Sequence, residues 1–342
     1  MENETAPAIG YEKELEVGRG EIAFCLTLDA DAGLLYTGAS DFNLRAFATE
    51  DLSMLGDPWT GHTSYVSGIA HTAKHVISGG YDRRLLWWDR DSGEVVKDVA
   101  AHEKWLRGVE LSPDGSQVAT VADDMKCRLW DAESGALVRT MEGHAKVTPQ
   151  NYPSMLFAAA FSHDGALLAT ADKIGHVIVW EVGTGKVVSE MDAPLMYTWD
   201  PRQRRHSIGG IRSLAFSPDG QRLATGGIGQ IGNIDHLGAK ARVEIFDWAN
   251  QTSLQEFNSD AYNGLVERME FSTSGTWLLT SGGDNKGWLT IYNTETGKQD
   301  LQEAAPMHVH EFQRHEDSIF AVGHQKMARW KVTLPDEQAS SS

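Results

Sequence analysis

Five segments of this chain end a strand-like run in an aromatic residue followed by a polar one. They are Trp88-Asp89, Trp130-Asp131, Trp180-Glu181, Phe246-Asp247 and Tyr292-Asn293. Phe47 precedes the series and Trp330 closes it, which makes seven units. Phe47 to Trp88 spans 41 residues and Trp88 to Trp130 spans 42. A period of ~40–45 residues that opens on Gly-His and closes on Trp-Asp is the mark of four-stranded propeller blades. The expected fold is all-β: a seven-bladed β-propeller of four-stranded antiparallel blades. A repeat that runs end to end implies one closed domain, over residues 11–334, with loose tails at 1–10 and 335–342.

The segment from Gly61 shows the unit clearly, as GHTSYVSGIAH, HVISGG, YDRRLLWWD and SGEVVKDV. Each piece is short, β-branched or aromatic, and bounded by Gly, Asp or Ser. Turn sequences recur at Ser112-Pro113-Asp114-Gly115, Ser162-His163-Asp164-Gly165, Ser217-Pro218-Asp219-Gly220 and Ser272-Thr273-Ser274-Gly275. They suit a type I turn followed by a left-handed Gly.

With these units in view, the chain resembles the WD-repeat β-propeller family over roughly residues 11–334. The resemblance implies that a His, a Ser or Thr, an Asp and a Trp pin each blade through hydrogen bonds. The matching positions are His62, Ser78, Asp82 and Trp88 in the second unit, and His102, Thr120, Asp124 and Trp130 in the third. The fourth unit keeps His144, Thr170 and Trp180 but has Ile174 at the Asp position, so its network is expected to be incomplete. The first keeps only Thr37, Asp41 and Phe47. A His-Ser-Asp set also suits a nucleophilic triad. Recurrence once per unit, each time with a Trp N–H at hand, favours a structural role.

Closure is expected from the N-terminus. Pro335 and the terminal serines disfavour a strand after Trp330, whereas Glu12 to Val17 alternates polar and apolar residues. The resemblance implies that this N-terminal strand completes the last blade, which removes free sheet edges.

The repeat is broken where Trp130 to Trp180 lengthens to 50 residues and Trp180 to Phe246 to 66. The extra residues fall after His144, after Asp192 and after Gly227. In an antiparallel four-stranded blade, interblade loops and second-to-third strand loops emerge on the same face. Long loops gathered on one face of a rigid scaffold suggest a binding surface. The longest insertion carries Trp199 followed by Arg202, Arg204, Arg205 and His206, and aromatic residues beside arginine are typical of interaction hot spots. His206 alternatively belongs to the fifth unit's tetrad. The resemblance places the starts of the inner strands on the rim of the same face. These supply Tyr65, Trp105, Arg107, Phe157 and Arg212, with Tyr81 nearby. The expected function is a non-enzymatic interaction scaffold that binds a protein segment there. The alternative is an enzyme or small-ligand sensor using the central channel.

Formal net charge is −18, from 48 acidic and 30 basic side chains. That balance repels nucleic acid and anionic membranes at long range. No signal peptide or membrane span is visible, and Cys25 and Cys127 read as buried thiols, so a cytoplasmic location is expected. No cofactor or metal is expected. His308-x-His310, with His315 following, is the strongest metal-like pattern, yet no carboxylate sits with it at a ligand spacing and Glu311 belongs to the opposite strand face. Gly226-Gly227-Ile228-Gly229 lacks the Lys and helix of a phosphate loop.

Overall fold

The structure is a computed structural model that describes residues 9–201, 206–232 and 238–335. Its architecture is an all-β propeller of antiparallel sheets. The strands Val66–His71, His75–Gly80, Arg84–Asp89 and Val95–Ala100 form one sheet in chain order. Four more four-stranded sheets run from Leu106–Leu111 to Leu137–Glu142, Leu156–Phe161 to Lys186–Asp192, Ile211–Phe216 to Thr252–Asn263 and Leu265–Phe271 to Lys298–Ala305. A six-stranded sheet has the order Val309–His315, Ser318–Thr333, Gly10–Asp29, Leu34–Ala39, Asn43–Ala48 and Met54–Thr60. Within it, residues 10–22 of Gly10–Asp29 pair with 324–333, and residues 23–29 pair with Leu34–Ala39. Among the described residues, no helix is long and apolar enough to cross a membrane.

The core lies between adjacent sheets, because a strand sends successive side chains to opposite faces. Trp87 and Trp88 show this directly. Trp87 packs forward with Leu106, Val118 and Trp130, and Trp88 packs backward with Tyr36 and Leu44. Both faces of a middle strand are therefore apolar, while outer strands such as Val95–Ala100 alternate toward solvent. The turns take the expected geometry. Gly115, Gly165, Gly220 and Gly275 all have φ near +70°, where a side chain is strained, and Ser112 Oγ donates to Asp114 at 2.6 Å.

The hydrogen-bonded tetrads form in the second and third units. Trp88 Nε1 donates to Ser78 Oγ (2.7 Å), Ser78 bonds His62 Nε2 (2.8 Å), and His62 Nδ1 bonds Asp82 (2.9 Å). Trp130, Thr120, His102 and Asp124 repeat the chain. The fourth unit corrects the sequence reading, because its network is complete. Asp172 takes the part assigned to position 174 and bonds His144 Nδ1 at 3.1 Å, with Thr170 bonding His144 Nε2 and Trp180 Nε1 at 2.8 Å each. Thr170 and Asp172 are alternate strand residues and share a face, so the acid reaches the histidine from the strand end. In the first unit Asp41 instead holds Arg45. The His206 side chain lies outside the described residues.

Burial alone would raise the Asp124 carboxyl, but His102 and the Glu103 and Lys126 N–H groups hold it down at about 2. A depressed carboxylate contributes stability above its unfolded value of ~3.8, lost as pH falls toward 2. Asp124→Asn should cost about 1–3 kcal/mol at neutral pH and flatten the stability decline between pH 4 and 2. Urea midpoints across that range measure it, and parallel curves for the two proteins would refute it.

All three insertions meet on one side. The longest folds into a short 3-10 turn, Pro194–Met196, and a two-stranded ribbon of Tyr197–Asp200 with His206–Gly209. Tyr197 donates to Gln150 of the first insertion (2.6 Å), and Tyr152 and Trp199 pack with ring centroids 5.2 Å apart. Residues of the third insertion bond the ribbon through Ile231 N to Thr198 Oγ1 (2.9 Å) and Gln230 to the Tyr197 carbonyl (3.1 Å).

Candidate functional site: the channel mouth

Every inner strand carries a β-bulge near its start, and the register skips one residue at each. The skipped residues are Phe24, Ser67, Arg107, Phe157, Arg212, Glu267 and His310. A bulge re-aims its side chain. All seven line a central cavity of about 360 Å³. The rim readings at Arg107, Phe157 and Arg212 thus share one position, and Phe24 and His310 are members that sequence reasoning missed. The signal was available in the position itself, one residue beyond the apolar start of the inner strand.

One sector of this mouth is aromatic and basic. Tyr81 and Trp105 stack in parallel at 4.8 Å, and Tyr65 packs against Tyr81 at 5.7 Å. Phe42 extends the run at 5.8 Å from Tyr65, and Phe24 joins it at 5.5 Å. Trp105 is 50% exposed, Tyr65 42% and Phe42 38%, so this apolar surface faces solvent. Arg107 is fixed beneath it by two bonds of 2.8 Å to Asp123 and one of 2.6 Å to the Tyr81 hydroxyl. Its guanidinium lies 4.7 Å from the Tyr81 ring centre and 5.3 Å from that of Trp105. Tyr65, Tyr81, Trp105 and Arg107 are therefore brought together.

Two other predicted contacts sit deeper. Phe157 is only 8% exposed and stacks under Arg212, whose guanidinium lies 3.4 Å from the ring centre. Both serve as a floor and offer little surface for contact, because the bulge turns them into the channel instead of onto the rim. Trp199 lies apart, on the ribbon beside Tyr152. Arg202, Arg204 and Arg205 lie outside the described residues.

The opposite sector is acidic and histidine-rich. Glu267 Oε1 lies 3.5 Å from His308 Nε2, and the rings of His308, His310 and His324 cluster with centroids 4.5–5.0 Å apart. Burial holds His310 neutral, its pKa down at about 4. The sequence reading found no carboxylate for these histidines because Glu267 comes from the neighbouring sheet, over 40 residues away. Below, Arg268 spans the channel, donating to Glu110 of a non-adjacent sheet at 3.1 Å and forming an ion pair with Glu311 at 3.0 Å. Burial pushes the Glu311 carboxyl up to about 8. Ser67 and Cys25 of the wall are otherwise engaged. Ser67 donates to the Leu106 carbonyl (2.6 Å), and burial pushes the Cys25 thiol well above its usual range.

Known proteins place this geometry in context. The family description "WD domain, G-beta repeat" matches residues 55–89, 93–131 and 200–230. Autophagy-related protein 16 of Arabidopsis thaliana is 24% identical over 221 residues, covering 64% of this chain and 38% of that protein. Guanine nucleotide-binding protein subunit beta of Zea mays is 28% identical over 171 residues, 49% of this chain and 42% of that protein. Small ribosomal subunit protein RACK1 of Drosophila melanogaster is also 28% identical over 171 residues, 48% of this chain and 49% of that protein. The matched region is less than half the length of each of these relatives. The chain thus carries WD repeats at the matched residues, and three closed His-Ser/Thr-Asp-Trp networks sit within its all-β propeller.

Proposed function

We propose that this chain is a non-enzymatic scaffold that binds a protein segment across the insertion-bearing face. The observation that carries this reading is the exposed aromatic run Phe42, Tyr65, Tyr81 and Trp105, braced from below by Arg107. Aromatic and arginine side chains already locked by stacking and ion pairing lose little entropy on binding. They also dominate measured interface energies. The first insertion borders the run, leaving a hollow of about 400 Å³ between Trp105, Pro153 and Met155. Two of the similar proteins bear names that make them subunits of larger assemblies, the G-protein β subunit and the ribosomal protein. In this reading the domain spans 11–334 and has seven blades. The six-stranded sheet counts as two of them, sharing the Gly10–Asp29 strand, whose first half closes the ring. We place it in the cytoplasm, consistent with two buried, unpaired cysteines.

The test is affinity capture with the wild type and a Tyr65→Ala/Trp105→Ala variant, followed by titration of the identified partner. Both side chains are about half exposed and lie outside the buried core, so the variant should stay folded while affinity falls by about 2–4 kcal/mol, roughly 30- to 1000-fold. Unchanged affinity in a folded variant would place the binding surface elsewhere. An enzyme reading instead requires turnover that survives this variant and is lost on changing channel residues.

A further inference from the structure

We propose that Glu267, His308 and His310 bind a divalent cation of the zinc class at the channel mouth, with His324 as the fourth donor. One donor atom from each of the first three lies within 4.8 Å of the others. Small side-chain shifts bring such a set to the ~2.0–2.2 Å bonds of a tetrahedral site. Imidazole nitrogens with one carboxylate suit zinc, whereas calcium and magnesium prefer all-oxygen cages.

The hydrogen bonding of the ligands is a second, independent observation. His308 Nδ1 donates to the Asp284 carbonyl at 2.8 Å, which leaves the lone pair on Nε2. That nitrogen faces Glu267, and both it and His310 Nε2 are buried without a hydrogen-bond partner. A lone pair aimed at a carboxylate repels it unless a metal cation or a proton lies between them. An imidazole oriented through its far N–H by a backbone carbonyl is the usual support of a metal-binding histidine. The His324 N–H bonds the His308 carbonyl (3.1 Å), so the backbone holds the fourth ring 5.0 Å from both other imidazoles. Glu267 comes from the inner strand of one sheet, and the histidines lie in or beside the strands Val309–His315 and Ser318–Thr333 of the next. A bound ion therefore clamps two sheets at the mouth.

The full chain, stripped with chelator, should take up one equivalent of Zn²⁺ by calorimetry. With Co²⁺ it should show the intense visible absorption of tetrahedral coordination. His308→Ala, His310→Ala and Glu267→Gln should each weaken binding by more than about 10-fold, since even a supporting partner is worth that much. His324→Ala, at an exposed position, should weaken it without disturbing the fold. His315→Ala, at the far end of its strand, should bind as the wild type does. Absence of stoichiometric uptake by the folded wild type overturns the proposal. Uptake that is equal in His310→Ala overturns it too, and a proton shared between Glu267 and His308 then accounts for the contact.

Discussion

Trp88→Ala should lower the unfolding free energy by about 3–5 kcal/mol, the cost of truncating a fully buried aromatic. Trp88 has 0% exposure and fills the space between the first two units, against Tyr36, Leu44, Val66 and Val76. Its truncation also removes the donor that ends the chain Asp82, His62, Ser78, Trp88. Every proton in that chain points toward the acid: indole to hydroxyl, hydroxyl to imidazole, imidazole to carboxylate. Trp88→Phe separates the two contributions, because it keeps most of the packing and loses the N–H. It should cost about 1–2 kcal/mol, the price of one lost bond and a partly unsatisfied Ser78. Urea titration of both variants checks the pair of values. Equal losses in the two would mean that the hydrogen-bonded chain, and not the packing, dominates.

Arg268→Ala should destabilise the propeller by about 2–3 kcal/mol, below the 3–5 kcal/mol of a fully buried pair. The reduction follows from geometry. Arg268 is enclosed by protein walls, yet its side chain stays 25% open to the channel, where water screens it. Its removal leaves Glu110 and Glu311 facing one cavity without a cation. Because burial holds the Glu311 carboxyl up at about 8, the two acids face each other as anions only above that pH. There a second change, Glu311→Gln, should recover part of the loss in the Arg268→Ala background while giving no such gain in the wild type. Thermal unfolding of the four proteins makes a double-mutant cycle. Strict additivity would show that Arg268 does not brace the channel through Glu311.

The repeat was legible because blade structure is local. Gly turns, alternating strands and a closing aromatic recur within ~42 residues, and each can be recognised without its neighbours. The tetrad at His144 was misread because spacing alone places the acid at Ile174. Only strand geometry shows that Asp172 lies on the same face as Thr170. The rim residues Tyr65, Trp105 and Arg107 were legible from their position before or within an inner strand. Glu267 beside His308 and His310 was not, because its partners come from another sheet. Arg268 across from Glu110 is the same case at larger scale, a contact between residues 158 apart that come from non-adjacent sheets.

The pairing of residues 10–22 with 324–333 has a consequence for synthesis. This half of the strand finds its outer partner only after more than 300 further residues have been made. At about 5–20 residues per second it waits roughly 15–60 s with an unpaired edge. An apolar strand in that state would invite aggregation. Glu12, Lys13, Glu14 and Glu16 crowd this half of the strand with charge, whereas the half that pairs locally reads Ala23, Phe24, Cys25 and Leu26. The same strand is thus written in two chemistries, one for the part that must wait and one for the part that folds at once.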